Sequence, residues 1–127
     1  MQMILAIGAG GAIGAVLRHL SGKAALALLG LSFPFGTLFV NVLGSLLMGV
    51  FISLFSAHSE GISNTLRAFL TVGVLGGFTT FSAFSLDAVT LYERGEIFSA
   101  GLYVILSLVL SLGALALGLY ITRSFAT

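Results

Sequence analysis

The stretch GVLGGFTTFSAFS, residues Gly73–Ser85, lies inside the uncharged run Ala68–Leu86. Paired glycines followed by paired threonines weaken a helix at this point. Irregular backbone within a membrane is tolerated only where it is buried in protein or lines a cavity or an ion site. The stretch therefore predicts a membrane-spanning helix that is broken near its middle, with freed carbonyl oxygens that suit a hard cation such as sodium, or water.

The composition requires lipid around the chain. Hydrophobic residues make up 58% of the 127 residues, charged residues 7%, and the mean hydropathy is +1.19. Soluble domains carry roughly 25% charged residues because water must solvate their surface. The composition excludes a soluble enzyme and a disordered tail. A nucleic-acid-binding protein is excluded as well, because a net charge of +1 provides no basic surface for the phosphates. The length fits one domain, residues 1–127.

The few charges divide the chain into four apolar segments. A spanning helix needs about 20 mostly apolar residues. The fold class predicted is an all-α integral membrane protein with four transmembrane helices. Ser63 or Asn64 can cap the third helix. The predicted helices run from about Met3 to Leu20, Phe35 to Ser56, Asn64 to Tyr92 and Ile97 to Thr122, with residues 24–29 either continuing the first helix or lying along the interface.

Basic residues give almost no orientation signal. Lys and Arg favour the cytoplasmic side of a membrane. One face of the four-span arrangement carries Arg67 and Arg123, and the other carries Arg18, Lys23 and Arg94. The near tie is compatible with a weakly determined single orientation. It is equally compatible with insertion in both orientations and pairing as an antiparallel homodimer.

Several glycines are spaced for helix packing. Gly10 and Gly14 form a small-xxx-small face, which lets helix backbones approach closely in lipid. The neighbouring glycines resemble a dinucleotide-binding loop only superficially, because no strand precedes them and no acid follows at the required distance. The further glycines expected to serve packing are Gly44, Gly49, Gly113 and Gly118.

Polar side chains in the apolar segments are neutral. Asn41 lies within the second segment, where its amide serves equally well as an interhelical hydrogen-bonding group or as a donor lining a wet path. Tyr103, Ser107 and Ser111 are four residues apart and so share one helix face. Serine often bonds back to its own helix, but three hydroxyls in register favour a path.

Phe81 and Phe84 follow the weak point of the third helix. They serve packing in one interpretation. In the other, their positive ring edges point at an anion. Proton-coupled transporters usually need an intramembrane acid, and the nearest candidate, Asp87, lies toward the end of the third helix. Neutral donors and ring edges suit a small anion that loses its water and must still leave.

Three stretches together resemble the CrcB-type Fluc fluoride channel family. They are GGFTTFSAFS at residues 76–85, GTLFVNVLG at residues 36–44 and GAIGAVLR at residues 11–18. Their order and spacing agree with the family, so the resemblance covers essentially the whole chain. The stretch on the third helix is the specific one, since glycine patterns alone are common in membrane helices.

The resemblance implies passive, selective export of fluoride through two pores of an antiparallel dual-topology homodimer in the cell inner (plasma) membrane. It implies that Phe81 and Phe84 form a phenylalanine box and that Asn41 is a pore donor. A polar track would consist of Tyr103, Ser107 and Ser111, and Arg18 would lie near a vestibule. The family's structural sodium ion, at the dimer centre, would be held by the backbone carbonyls of Gly76 and Thr79 from both subunits.

Other functions fit the residues less well. A small dual-topology multidrug-type exporter has the same size, but it needs an acid in its first helix, and residues 1–17 contain none. A noncatalytic assembly subunit explains the glycines but not a broken helix beside a polar stripe. An intramembrane enzyme lacks a nucleophile with a base, because His19 and His58 fall near segment ends. The prediction is a channel and not an enzyme.

Overall fold

A computed structural model describes residues 1–126, and this part of the chain is all-helical. Its four long apolar stretches are each long enough to cross a membrane, which confirms the predicted fold class of four spanning segments. The third stretch consists of several shorter pieces. The elements are α1 (Gln2–Leu29), α2 (Phe35–Ala57), α3 (Asn64–Ala68), a π-helical segment (Phe69–Leu75), α4 (Gly76–Phe78), α5 (Phe81–Glu93) and α6 (Ile97–Ala126).

The helix boundaries lie within one residue of the predicted ones except at the ends of the first and last helices. The last helix, α6, ends at Ala126, four residues beyond the predicted Thr122. α1 continues to Leu29, so the stretch 24–29 extends the helix and does not lie apart from it. The reason is its composition of alanine and leucine, which are strong helix formers. The helix ends where Gly30 adopts a φ of 82°. Ser63 caps α3 as predicted, because its side chain accepts a hydrogen bond from the Leu66 N–H.

Glycines allow the helices to pack backbone against backbone. α1 lies on the third span, where a Cβ on Gly10 would come 2.6 Å from the Phe69 carbonyl oxygen and one on Gly14 would overlap the Val74 carbonyl. α2 packs along α6, where Gly49 meets the Leu115 carbonyl and Gly118 meets the Leu46 carbonyl. The packing predicted at these glycines is confirmed.

Gly113 does not pack as predicted. A Cβ built on it has no neighbour within 4 Å in the described chain, whereas Gly118 on the same helix touches α2. Five residues correspond to a rotation of about 140° around a helix, so the two glycines face different directions. The same rotation explains why Gly44 packs against Phe78 and Thr79 of the third span while Gly49 faces α6.

The packed core lies between α5 and α6. Phe84, Leu91, Ala100 and Tyr103 are its buried members. Phe33, from the connection between α1 and α2, closes this core by packing edge-on against Tyr103, with ring centroids 5.5 Å apart. The core therefore fixes α5, which follows the weak point of the third span, against α6, which carries the predicted hydroxyl stripe.

We expect Gly14→Ala to destabilise the protein by about 1–3 kcal/mol, because the added methyl group overlaps the Val74 carbonyl and the two helices must separate. Gly8→Ala is the matched control, since that position has open space in the chain. Thermal unfolding of both variants in the same detergent measures the difference. Equal melting temperatures for the two variants would contradict close packing at Gly14.

Candidate functional site

The third span is interrupted at two threonines. α4 ends at Phe78 and α5 begins at Phe81, while Thr79 (φ −88°, ψ 157°) and Thr80 (φ −154°, ψ 121°) are extended. The sequence predicts weakness from both the glycine pair and the threonine pair, but the extended residues are the threonines. Gly77 instead remains helical and lies against Gly11 of α1. Threonine is β-branched and accepts extended backbone readily.

Asn41 holds the second threonine through both ends of its amide. Its Nδ2 donates to the Thr80 carbonyl oxygen at 3.0 Å, and its Oδ1 accepts from the Thr80 N–H at 2.8 Å. Of the two roles open to Asn41 on sequence, interhelical hydrogen bonding is therefore present. A primary amide has two N–H donors, so one remains for another acceptor.

Side chains also meet the other backbone groups around the interruption. The Thr79 N–H and hydroxyl both donate to the Leu75 carbonyl, at 3.0 Å and 2.9 Å. The Thr80 hydroxyl caps α5 by accepting from the Ala83 N–H at 3.1 Å. The Arg18 Nε donates to the Gly77 carbonyl at 3.0 Å. Unpaired backbone groups are costly in a membrane, and these hydrogen bonds reduce that cost.

A cavity of about 340 Å³ lies beside the interruption. It brings together five of the residues predicted for the pore, which come from α2, α5 and α6. Its lining includes no charged residue from the described part of the chain. The predicted residues that line it are Asn41, Phe81, Phe84, Ser107 and Ser111.

The two phenylalanine rings differ in their surroundings. Their centroids are 5.5 Å apart and the ring planes are tilted by 52°. Phe84 is 8% exposed and belongs to the core, whereas Phe81 is 74% exposed in the single chain. One ring therefore forms a fixed wall of the cavity. The other stands at its open side, where lipid or another protein surface must cover it.

The hydroxyl stripe on α6 divides into two parts. Ser107 and Ser111 line the cavity, and their hydroxyl oxygens are buried without a well-oriented hydrogen bond among the described residues, although Ser107 lies beside the Tyr103 hydroxyl. Tyr103 is fully buried and donates to the Asp87 carboxylate at 3.1 Å. Asp87 lines a separate cavity of about 300 Å³. Tyr103 thus lies behind the cavity of the serines.

Arg18 lies at a third opening. This cavity of about 320 Å³ also contains Lys23, Thr37 and Thr80. The sequence places Arg18 near an interface, and the structure adds a partner 59 residues away in the chain, the Gly77 carbonyl. No short motif in the sequence connects these two residues.

Gly76 and Thr79 are the residues predicted to hold a cation through their backbone carbonyls. Gly76 is exposed, and Thr79 directly follows the C-terminal end of α4. No cluster of three or more His, Cys, Asp or Glu side chains occurs within the described residues 1–126. Carbonyl oxygens at the end of a half-helix are the type of group that binds sodium in broken membrane helices.

The sequence analysis did not predict every residue that lines the cavity beside the interruption. Ser45, Met48 and Thr80 also line it. Ser45 follows Asn41 by four residues and so lies on the same face of α2. That spacing could have predicted Ser45 as a neighbour of Asn41 in the cavity. Met48 carried no signal, because an apolar residue in an apolar helix does not show which face it occupies.

Comparisons with known proteins agree on one family. Residues 5–119 match the family model described as "CrcB-like protein, Camphor Resistance (CrcB)". The chain is 52% identical over 120 residues to the fluoride-specific ion channel FluC 1 of Nitrobacter hamburgensis, covering 94% of both chains. It is 52% identical over 124 residues to the fluoride-specific ion channel FluC of Rhizobium meliloti, covering 98% of both. The FluC of Nitrobacter winogradskyi is 53% identical over 120 residues, which is 94% of each chain.

We expect Asn41→Ala to loosen the interruption, since it removes both hydrogen bonds to Thr80. Each such bond contributes about 1 kcal/mol, so local opening and amide exchange at Thr80 should rise roughly tenfold to a hundredfold. Ser45→Ala is the control, because Ser45 lines the same cavity. Hydrogen exchange of the purified protein measures the effect. Exchange at Thr80 that is equally slow in both variants would contradict this role for Asn41.

Proposed function

This chain belongs to the CrcB family, and from that membership and the cavity on α2, α5 and α6 we propose that it is a fluoride-specific ion channel. Fluoride leaves the cytoplasm passively, down its gradient. The observation that carries the proposal is the uncharged cavity beside the interruption, which combines an amide, two serine hydroxyls and two phenyl rings. The relatives named above are fluoride channels, which supports the same conclusion.

The chemistry of the cavity suits a small anion. Fluoride entering it loses water, and neutral donors must replace the lost hydrogen bonds. Ser107 and Ser111 supply hydroxyl groups that lack a well-oriented partner among the described residues, and Asn41 has one amide hydrogen to spare. A fixed positive charge would hold the ion too strongly. Conduction requires each site to bind well enough for entry and weakly enough for release.

The phenyl rings complete the coordination. A ring is negative on its face and positive at its edge, so an edge turned toward fluoride attracts it without a formal charge. Phe84 is held in the core against Tyr103, with centroids 5.3 Å apart, so its edge is preorganised. The Tyr103 hydroxyl and Asp87 continue the polar track beyond this ring.

The functional unit in this proposal is an antiparallel dual-topology homodimer with two pores. Phe81, at 74% exposure, and the exposed Gly76 lie on the third span, and a second copy covers them. The near tie in basic residues between the two faces supports insertion in both orientations. The interruption at Thr79 and Thr80 then lies near the middle of the membrane, and the protein is a multi-pass protein of the inner (plasma) membrane.

A sodium ion at the dimer centre is consistent with the residues present. Each subunit offers the Gly76 and Thr79 carbonyls, and only two copies together provide a full set of oxygen ligands. When bound, the ion supplies positive charge to the carbonyl ends of the two interrupted helices. The chain's own contribution is at Gly76: the Thr80 N–H, which would pair with the Gly76 carbonyl in a continuous α-helix, donates to the Asn41 Oδ1 instead.

The second candidate, a small multidrug-type exporter, lacks its required group. α1 extends to Leu29 and contains no acidic residue over its whole length. Asp87 is on α5 and is engaged by Tyr103. No observation favours this alternative over the channel.

The proposal is tested by fluoride efflux from liposomes that contain only this protein. We expect wild-type protein to release fluoride but not chloride. Phe81→Ile and Phe84→Ile each keep an apolar side chain but remove the ring edge, so flux should fall roughly tenfold or more. Folding should persist, because volume-conserving swaps usually cost less than about 1.5 kcal/mol.

Phe98→Ile is the matched control, since Phe98 is exposed and does not line the cavity. Efflux and size-exclusion profiles are measured on the same preparations. A well-folded wild-type protein without fluoride efflux would overturn the proposed function. Full activity in Phe84→Ile would overturn the role of that ring alone.

We expect both orientations in one membrane. The chain has no cysteine, so Ser59→Cys, between α2 and α3, and Glu93→Cys, at the C-terminal end of α5, can be labelled without background. Each cysteine should react with an impermeant reagent from both sides of intact vesicles. Reaction of each site from a single side, opposite for the two sites, would exclude the antiparallel pair.

A further inference from the structure

The carbonyl of Gly77 loses its helical partner at the interruption. In a continuous α-helix it would accept a hydrogen bond from the N–H of the residue four positions later, which is Phe81. The extended backbone of Thr79 and Thr80 carries Phe81 away into a new helix. A carbonyl near the C-terminal end of a helix also carries partial negative charge.

Arg18 supplies the missing donor. Its Nε lies 3.0 Å from the Gly77 carbonyl oxygen, and the residue is half-buried between α1 and the third span. Among the described residues, 1–126, the ion pair formed is the one between Arg94 and Glu96. No carboxylate in this part of the chain therefore competes for the Arg18 guanidinium. Hydrogen bonds to charged groups are stronger than neutral ones.

We propose that Arg18 is a positioning residue that fixes the interrupted helix through the Gly77 carbonyl, and does not act only as a positive charge that attracts anions. Asn41 holds Thr80, the second extended residue, and Arg18 holds Gly77, two residues before the first. The two side chains together determine how Thr79 and Thr80 present their backbone. Arg18 also cancels a carbonyl dipole that would repel an anion nearby. Only the flux consequences of this inference rest on the proposed function.

Lys23 provides the comparison that separates the two roles. It lines the same cavity as Arg18 and carries the same charge, but Arg18 is the one of the two that donates to Gly77. Both residues can attract anions by their charge, and salt screens that attraction. Positioning depends on a hydrogen-bond donor at one atom, and salt does not screen it.

The experiment compares Arg18→Lys, Arg18→Gln and Lys23→Gln by hydrogen exchange and by fluoride efflux at low and high ionic strength. Loss of a hydrogen bond to a charged group should raise amide exchange over residues 76–82 roughly tenfold or more in both Arg18 variants. It should leave exchange in Lys23→Gln within about twofold of wild type. Flux should fall in both Arg18 variants by a factor that high salt leaves unchanged.

Amide exchange in Arg18→Lys as slow as in wild type would overturn the proposal. So would a loss of flux in the Arg18 variants that equals the loss in Lys23→Gln and disappears at high salt, where the wild-type rate falls to the same value. Should the Arg18 variants not fold, the wild-type protein still decides. Solid-state NMR should detect the dipolar coupling between the Arg18 ¹⁵Nε and the Gly77 ¹³C′, and its absence would overturn the inference. The exchange and NMR measurements need no flux, so a wild-type protein that does not conduct fluoride leaves them interpretable.

Discussion

Satisfaction of backbone hydrogen bonds at Thr79 and Thr80 is the constraint on which this structure depends. Lipid offers no partners, so a helix that is interrupted inside a membrane must find donors and acceptors within the protein. Here they come from the threonine side chains themselves and from two other helices, through Asn41 of α2 and Arg18 of α1. The positions of α1 and α2 relative to the third span follow from this requirement.

Close glycine packing makes these hydrogen bonds possible. Arg18 reaches Gly77 because Gly10 and Gly14 let α1 lie directly on the third span. Asn41 reaches Thr80 because Gly44, one turn further along α2, leaves room for the Thr79 side chain. In lipid, helices associate through such packing and polar contacts and not through the hydrophobic effect. Packing and polar satisfaction are therefore parts of one arrangement.

This arrangement leaves a cavity with two chemical properties that matter for an anion. Its polar groups are neutral, and its two serine hydroxyls are not occupied by well-oriented bonds among the described residues. One phenyl wall is fixed in the core, while the other is exposed at the open side. Phe81 is exposed in the single chain, and the proposed dimer would cover it.

The sequence by itself determined the four apolar segments and the boundaries of α2 to within one residue, and it narrowed the cap of α3 to Ser63 or Asn64, because hydropathy and capping are local properties. It also predicted a weak point in the third span. Asn41, Ser107 and Ser111 stood out as polar residues in apolar helices, whereas Phe81 and Phe84 were assigned through the family resemblance. The tertiary structure alone decided which pair at the weak point is extended, that both ends of the Asn41 amide bind Thr80, and that Tyr103 lies behind the cavity with Asp87. It also decided that Gly113 faces away from α2. These outcomes depend on helix rotation and on contacts between residues far apart in the chain, and no local pattern encodes either.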